Sequence, residues 1–140
     1  MIGIESRTDA IIRLGERLAD KLKEFKSNED NDLKVLISKA KFENQWFTES
    51  NILLALESWV EALKPANVKK WLEPYMPVLI ADKRRLNIGV VNAGNIPFVG
   101  MHDLLTVILC GYSYTGKNAT GDSLLLPFFA SILIASLLDL

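Results

Sequence analysis

The chain has 140 residues, 49% of them apolar, and its 16 basic and 17 acidic side chains leave a formal charge of −1. That length fits one domain with a sizeable core, and the balanced charge excludes a uniform field drawing it to nucleic acid or to an anionic membrane. One cysteine, Cys110, cannot close an internal disulfide, and no N-terminal stretch follows the plan of a signal peptide, so the expected compartment is the reducing cytoplasm.

In chain order, apolar residues first recur at helical spacing. Ile11, Leu14, Leu18, Leu22 and Phe25 predict one helix, and Leu33, Leu36, Ile37 and Ala40 a second, with a polar connection over 26–32 between them. Thr48 is placed to cap a third helix carrying Ile52, Leu53, Leu56, Trp59, Val60 and Leu63. Pro65 can open a fourth, running through Trp71. The three tryptophans, Trp46, Trp59 and Trp71, are expected to pack in or between helices, since an aromatic platform for a flat ligand would need polar companions that none of them has.

After Pro77 the pattern changes. The cluster Lys83-Arg84-Arg85 precedes Leu86-Asn87-Ile88-Gly89-Val90-Val91, which has the β-branched content of a short buried strand. A turn at Gly94-Asn95-Ile96-Pro97 follows, then a helix from about Phe98 to Cys110, a strand around Tyr112 to Lys117 and an apolar helix from Leu124 to Leu138. The order β-α-β-α predicts parallel strands joined by a covering helix. As a helix the uncharged final run would extend only ~22 Å against roughly 30 Å of hydrocarbon, so it is expected to be buried in protein and not to span a membrane.

Several stretches carry candidate chemistry. Gly111 to Asn118 nearly spells the phosphate-cradling loop, but Asn118 stands where a magnesium-binding hydroxyl is needed, and the middle residues have strand character. Cys110 ends an apolar run with no cation nearby in sequence, which favours packing over reactivity. His102 is the only histidine and makes a weak metal case; a local contact with Asp103 or a cap fits it better. In the turn, Gly94 lets the chain leave the strand sharply, while Pro97 holds Ile96 extended and pre-sets the next helical turn. Asn95 is thereby offered at the carboxyl end of a parallel strand, where open α/β sheets bind ligands. It reads equally as an oxyanion donor or as a turn former.

Three stretches resemble the acyl-CoA reductase family, relatives of the fatty-acid reductase subunit of bacterial bioluminescence within the aldehyde dehydrogenase superfamily. They are 44–51 with 55–59, the motif Ala93-Gly94-Asn95-Ile96-Pro97-Phe98-Val99-Gly100-Met101-His102-Asp103, and 111–117 with Leu124-Leu125-Leu126-Pro127-Phe128. The resemblance implies a helical N-terminal region over 1–80, followed over 81–140 by the start of a Rossmann-like parallel sheet, an incomplete nicotinamide-cofactor-binding α/β region. It implies reduction of a long-chain acyl thioester to an aldehyde, with NADPH as cofactor and NADH open. Asn95 then stabilises the oxyanion on the substrate carbonyl, Lys117 touches the adenosine ribose or its 2′-phosphate, and Ile96 and Pro97 join the cofactor contacts. An acyl-CoA is the implied substrate, with room for a homo-oligomer or acyl-transfer partner proteins. The family's nucleophilic cysteine has no counterpart here, and Cys110 does not stand for it, so the chain is expected to be the N-terminal part of a longer enzyme and inactive alone. A small helical adaptor, binding a partner protein through exposed tryptophan and C-terminal apolar faces, is the competing expectation.

Overall fold

The computed structural model describes residues 2–27, 31–82 and 84–139. Residues 28–30 of the expected polar connection, and Lys83 of the basic cluster, lie outside the described residues. Helix α1 (Ile4–Lys26) buries one stripe, Ala10, Ile11, Leu14, Leu18 and Leu22, at the spacing that puts them on a single face. Helix α2 (Asp32–Glu43) starts where the Asn31 side chain accepts the Lys34 N–H at 3.1 Å. Helix α3 (Glu49–Ala62) starts where Thr48 Oγ1 accepts the Asn51 N–H at 3.2 Å, the expected cap. Pro65 opens α4 (Pro65–Leu72), which runs through a 3-10 turn (Glu73–Tyr75) into α5 (Met76–Ala81).

Helix α5 has no counterpart among the predicted elements. Its sequence Met-Pro-Val-Leu-Ile-Ala is apolar without period, and Pro77 argues against a helix unless it stands in the first turn, as it does here.

Strands β1 (Asn87–Val91) and β2 (Ser113–Lys117) pair in parallel, in register from Asn87 with Ser113 to Val91 with Lys117. Helix α6 (Met101–Leu109) is the crossover between them, and α7 (Leu125–Leu138) follows. The chain is thus mostly helical with a small two-stranded parallel sheet, compatible with an α/β fold. The expectation that β1 is buried does not hold. Ile88 and Val90 are half-buried, while Asn87, Gly89 and Val91 face solvent, Val91 at 82% exposure. A β-branched run signals a pleated surface, and two strands alone leave one of its faces open.

One hydrophobic core draws on α1 to α4, α6 and α7. Helix α1 lies along α7, and Arg13 Nη1 donates to the Asp139 carbonyl at 2.9 Å while Arg17 pairs with the Asp139 carboxylate. Helix α7 buries Leu125, Leu126, Phe129, Ile132 and Leu133. Among the described residues no helix is long and apolar enough to cross a membrane. Trp59 and Trp71 pack against the core as expected, but Trp46 does not. It stands in the turn after α2 with 81% of its surface exposed, near Phe42 in sequence, which is 94% exposed.

Candidate functional site

The carboxyl edge of the sheet is built from the two strand ends and the loops that leave them. The Asn92 N–H donates to the Lys117 carbonyl at 2.9 Å and closes the ladder. The Asn92 side chain is buried; its Nδ2 donates to Tyr114 Oη at 2.9 Å and to Asn118 Oδ1 at 3.3 Å, and the Tyr114 hydroxyl lies 3.0 Å from Asn92 Oδ1. A buried amide is stable only with its donors and acceptors used, and here they join the end of β1 to the middle and end of β2.

Gly94 serves this edge by close approach and not by an unusual backbone angle. A Cβ there would lie 2.5 Å from the Ala119 Cβ, so only glycine lets the two loops touch. Its carbonyl accepts from Asn44 Nδ2 at 3.3 Å, which brings the end of α2 against the strand edge. The expected first helical turn at Pro97 is instead a non-helical turn over 97–100, and α6 begins at Met101. The cause is Phe98, which takes the left-handed backbone conformation (φ 63°) and seats its buried ring edge-on against Phe129 at 4.4 Å between centroids. A non-glycine residue there is strained, and the buried aromatic contact offsets the strain.

That geometry leaves Asn95 and Ile96 exposed and Pro97 half-buried. The Asn95 side chain makes no hydrogen bond among the described residues, whereas an asparagine that forms a turn through its side chain would bond a nearby backbone group. Lys117 is exposed at the end of β2, in register with Val91. The structure therefore brings Asn95 and Lys117 to the same edge, with Ile96 and Pro97 on the loop beside them.

Two acids at this edge were not singled out in the sequence. Asp122 is buried, and a Cβ on Gly94 would stand 3.6 Å from its Cβ. Burial pushes the Asp122 carboxyl up to about 6, the Leu125 N–H acts in the opposite direction, and the Glu43 carboxylate raises it further. Glu43 accepts from the Ser123 N–H at 3.1 Å and from the Ser123 hydroxyl, which staples α2 to the loop before α7. The partners lie about 80 positions apart, and neither acid sits in a patterned motif; an isolated Asp-Ser pair before an apolar helix was the one available signal.

Chemically, this edge offers an exposed amide, an exposed ammonium and a buried acid whose pKa is raised to about 6 by burial. Cys110 stands elsewhere, half-buried at the C-cap of α6 before β2 begins, and so toward the opposite end of the strands. His102 is exposed, with Nδ1 3.8 Å from the Asp103 carboxylate and its ring 5.8 Å from that of Trp71. Among the described residues no three His, Cys, Asp or Glu side chains are grouped to hold a metal. Residues 113–117 form β2, so the backbone there belongs to a ladder and not to a phosphate-cradling loop. Comparison with protein-family models, with curated proteins and with solved structures found no match to this chain.

Proposed function

We propose that the chain is the N-terminal part of an NADPH-dependent acyl-CoA reductase of the aldehyde dehydrogenase superfamily, its two strands the start of a Rossmann-like sheet. The reading rests on the resemblance of the 93–103 motif, and one observation supports it best: the Asn95 amide and the Lys117 ammonium share the carboxyl edge of two parallel strands. Lys117 suits a ribose hydroxyl or a phosphate as a mobile point charge, and unpaired Asn95 has its donors free. When bound, the cofactor supplies the hydride. Asn95 donates to the oxygen of the substrate carbonyl as negative charge develops on it, and Lys117 fixes the far end of the cofactor. The attacking thiolate comes from outside these residues.

The test has two stages. NADPH titrated into the 140-residue chain, followed by its own fluorescence, is expected to bind, with affinity about tenfold weaker in Lys117→Ala, a loss of roughly 1.4 kcal/mol. In the chain extended through its downstream sequence, acyl-CoA-dependent NADPH oxidation is expected to fall about 10²–10³-fold in Asn95→Ala with cofactor affinity unchanged. A rate that survives in Asn95→Ala removes the oxyanion role, and no oxidation by the extended chain removes the reductase reading.

A second reading, a helical adaptor for a partner protein, is favoured by Phe42 and Trp46, whose rings stand in solvent at 94% and 81% exposure. It expects Phe42→Ser with Trp46→Ser to leave the unfolding temperature unchanged and to abolish a specific association.

A further inference from the structure

At the opposite end of the strands from Asn95, Arg7 is buried, 8% exposed, with no Asp or Glu paired to it among the described residues. Its Nη1 donates to the Ile2 carbonyl at 2.6 Å, its Nε is buried without a partner, and its Nη2 makes no hydrogen bond among the described residues. The guanidinium lies against Gly111, which sits at φ 78° and where a Cβ would stand 2.7 Å from Arg7 Nη1. An unpaired buried charge costs several kcal/mol, and an arginine cannot relieve it by losing its proton in the accessible pH range. Desolvation lowers the Arg7 pKa from its ordinary value, while the Cys110 sulfur beside it acts in the opposite direction.

Arg7 lines a cavity of about 500 Å³ together with the amino terminus of α1. That helix has 23 residues, and its N-cap, Gly3, gives no side-chain cap, so the first-turn N–H groups beside the cavity carry the positive end of a long helix. Of the acids at this cavity, Glu5 is exposed and screened by water, and Asp82 is already held by Arg84 and the Tyr112 hydroxyl. Met76, Leu79 and Ile80 from α5 make an aliphatic stretch of the wall, with Arg84 and Cys110 beside it. Leu79 and Cys110 also border a second, apolar hollow of about 360 Å³ that contains Trp71 and Tyr75.

We propose that this cavity binds a small organic oxyanion, a carboxylate or phosphate monoester whose head lies between Arg7 and the α1 amino terminus and whose apolar body lies along Met76 and Leu79. A forked guanidinium and backbone N–H groups suit either head, and the aliphatic wall selects against the bare ion. The site is separate from the edge that carries Asn95 and Lys117 and does not depend on the reading given to them.

Thermal unfolding and amide NMR of the 140-residue chain, with hexanoate, hexyl phosphate, inorganic phosphate and hexylamine as probes, test it. At about 10 mM, hexanoate or hexyl phosphate is expected to raise the unfolding temperature and to shift the amides of Ile4 to Ser6 and the Arg7 Nε–H, with the larger response naming the head group. Inorganic phosphate should act more weakly and hexylamine not at all. Arg7→Met is expected to lose the response while the ligand-free variant is as stable as the parent or more so, because it removes an unpaired buried charge. Arg7→Lys should keep the site with affinity about tenfold weaker, since the fork is lost. The proposal is overturned by an absent response in the parent chain, by an equal response to hexylamine, or by NMR shifts that fall away from residues 4–7. A full response retained in Arg7→Lys would also remove the fork from the account.

Discussion

At the scale of single residues, Asp122 is the group whose surroundings most directly set a pH dependence. Its folded pKa, about 6, lies above the ordinary carboxyl value of 3.8, so the folded state holds a proton that the unfolded state releases. Stability is therefore expected to fall as pH rises from about 4 to 6 and to stay low above that. Asp122→Asn keeps an acceptor for the Leu125 N–H and removes the titration. It should flatten that slope in urea unfolding and raise stability at pH 7, by less than the full cost of the buried charge because the new amide donors fall where Asp122 Oδ1 is buried without a partner. Gly94 gives a second test. Gly94→Ala forces a Cβ to 2.5 Å from that of Ala119 and is expected to cost about 1–3 kcal/mol, whereas Gly89, with nothing within 4 Å, should accept alanine at little cost. Neither expectation was available from the chain alone. Gly94 reads in sequence as a turn glycine, because the residue that crowds it lies 25 positions on, and Asp122 reads as a surface acid, because its burial is made by a loop and by α2.

At the scale of elements, legibility followed period. The helices α1 and α3 repeat their apolar residues over several turns, and α3 carries the Thr48 cap expected of it, whereas the Asn31 cap of α2 was not anticipated. Helix α5 was illegible because six apolar residues cannot display a 3.6-residue repeat. The sheet was legible in order and direction but not in burial, because the β-branched content of β1 records the strand and says nothing of how many neighbours cover it. What holds its two strands in register at their carboxyl ends is Asn92, which the sequence presents as one more polar residue after a strand. Asn92→Ala is expected to cost about 1–3 kcal/mol by leaving the Tyr114 hydroxyl without its buried partner. Tyr114→Phe in that background should cost less than in the parent, and the coupling read from the double-mutant cycle measures the pair.

At the scale of the whole molecule, the change from helical to mixed structure near residue 81 does not divide the core, since α1 packs on α7 and both belong to one buried cluster. Circular dichroism and tryptophan fluorescence are expected to report a single coincident unfolding transition, and Leu14→Ala, at a fully buried position of α1, to destabilise it by about 2–5 kcal/mol without splitting it. The candidate site at the carboxyl edge was half legible at this scale. Strand order placed Asn95 and Lys117 together, but the contribution of Asn44 and Glu43 from α2 needs contacts across 50 and 80 positions that no local pattern announces. The pairing of α1 with α7 also sets a timetable. Arg13 and Arg17 meet Asp139 across separations of 126 and 122 residues, and at translation rates of roughly 5–20 residues per second they are synthesised roughly 6–25 s before their partner. Until α7 has cleared the ribosome the stripe Ile11, Leu14, Leu18 has no seat beside it, so nascent chains arrested before residue 125 should be cleaved in α1 by protease and held by chaperones, and the full chain with α7 outside the ribosome should be neither.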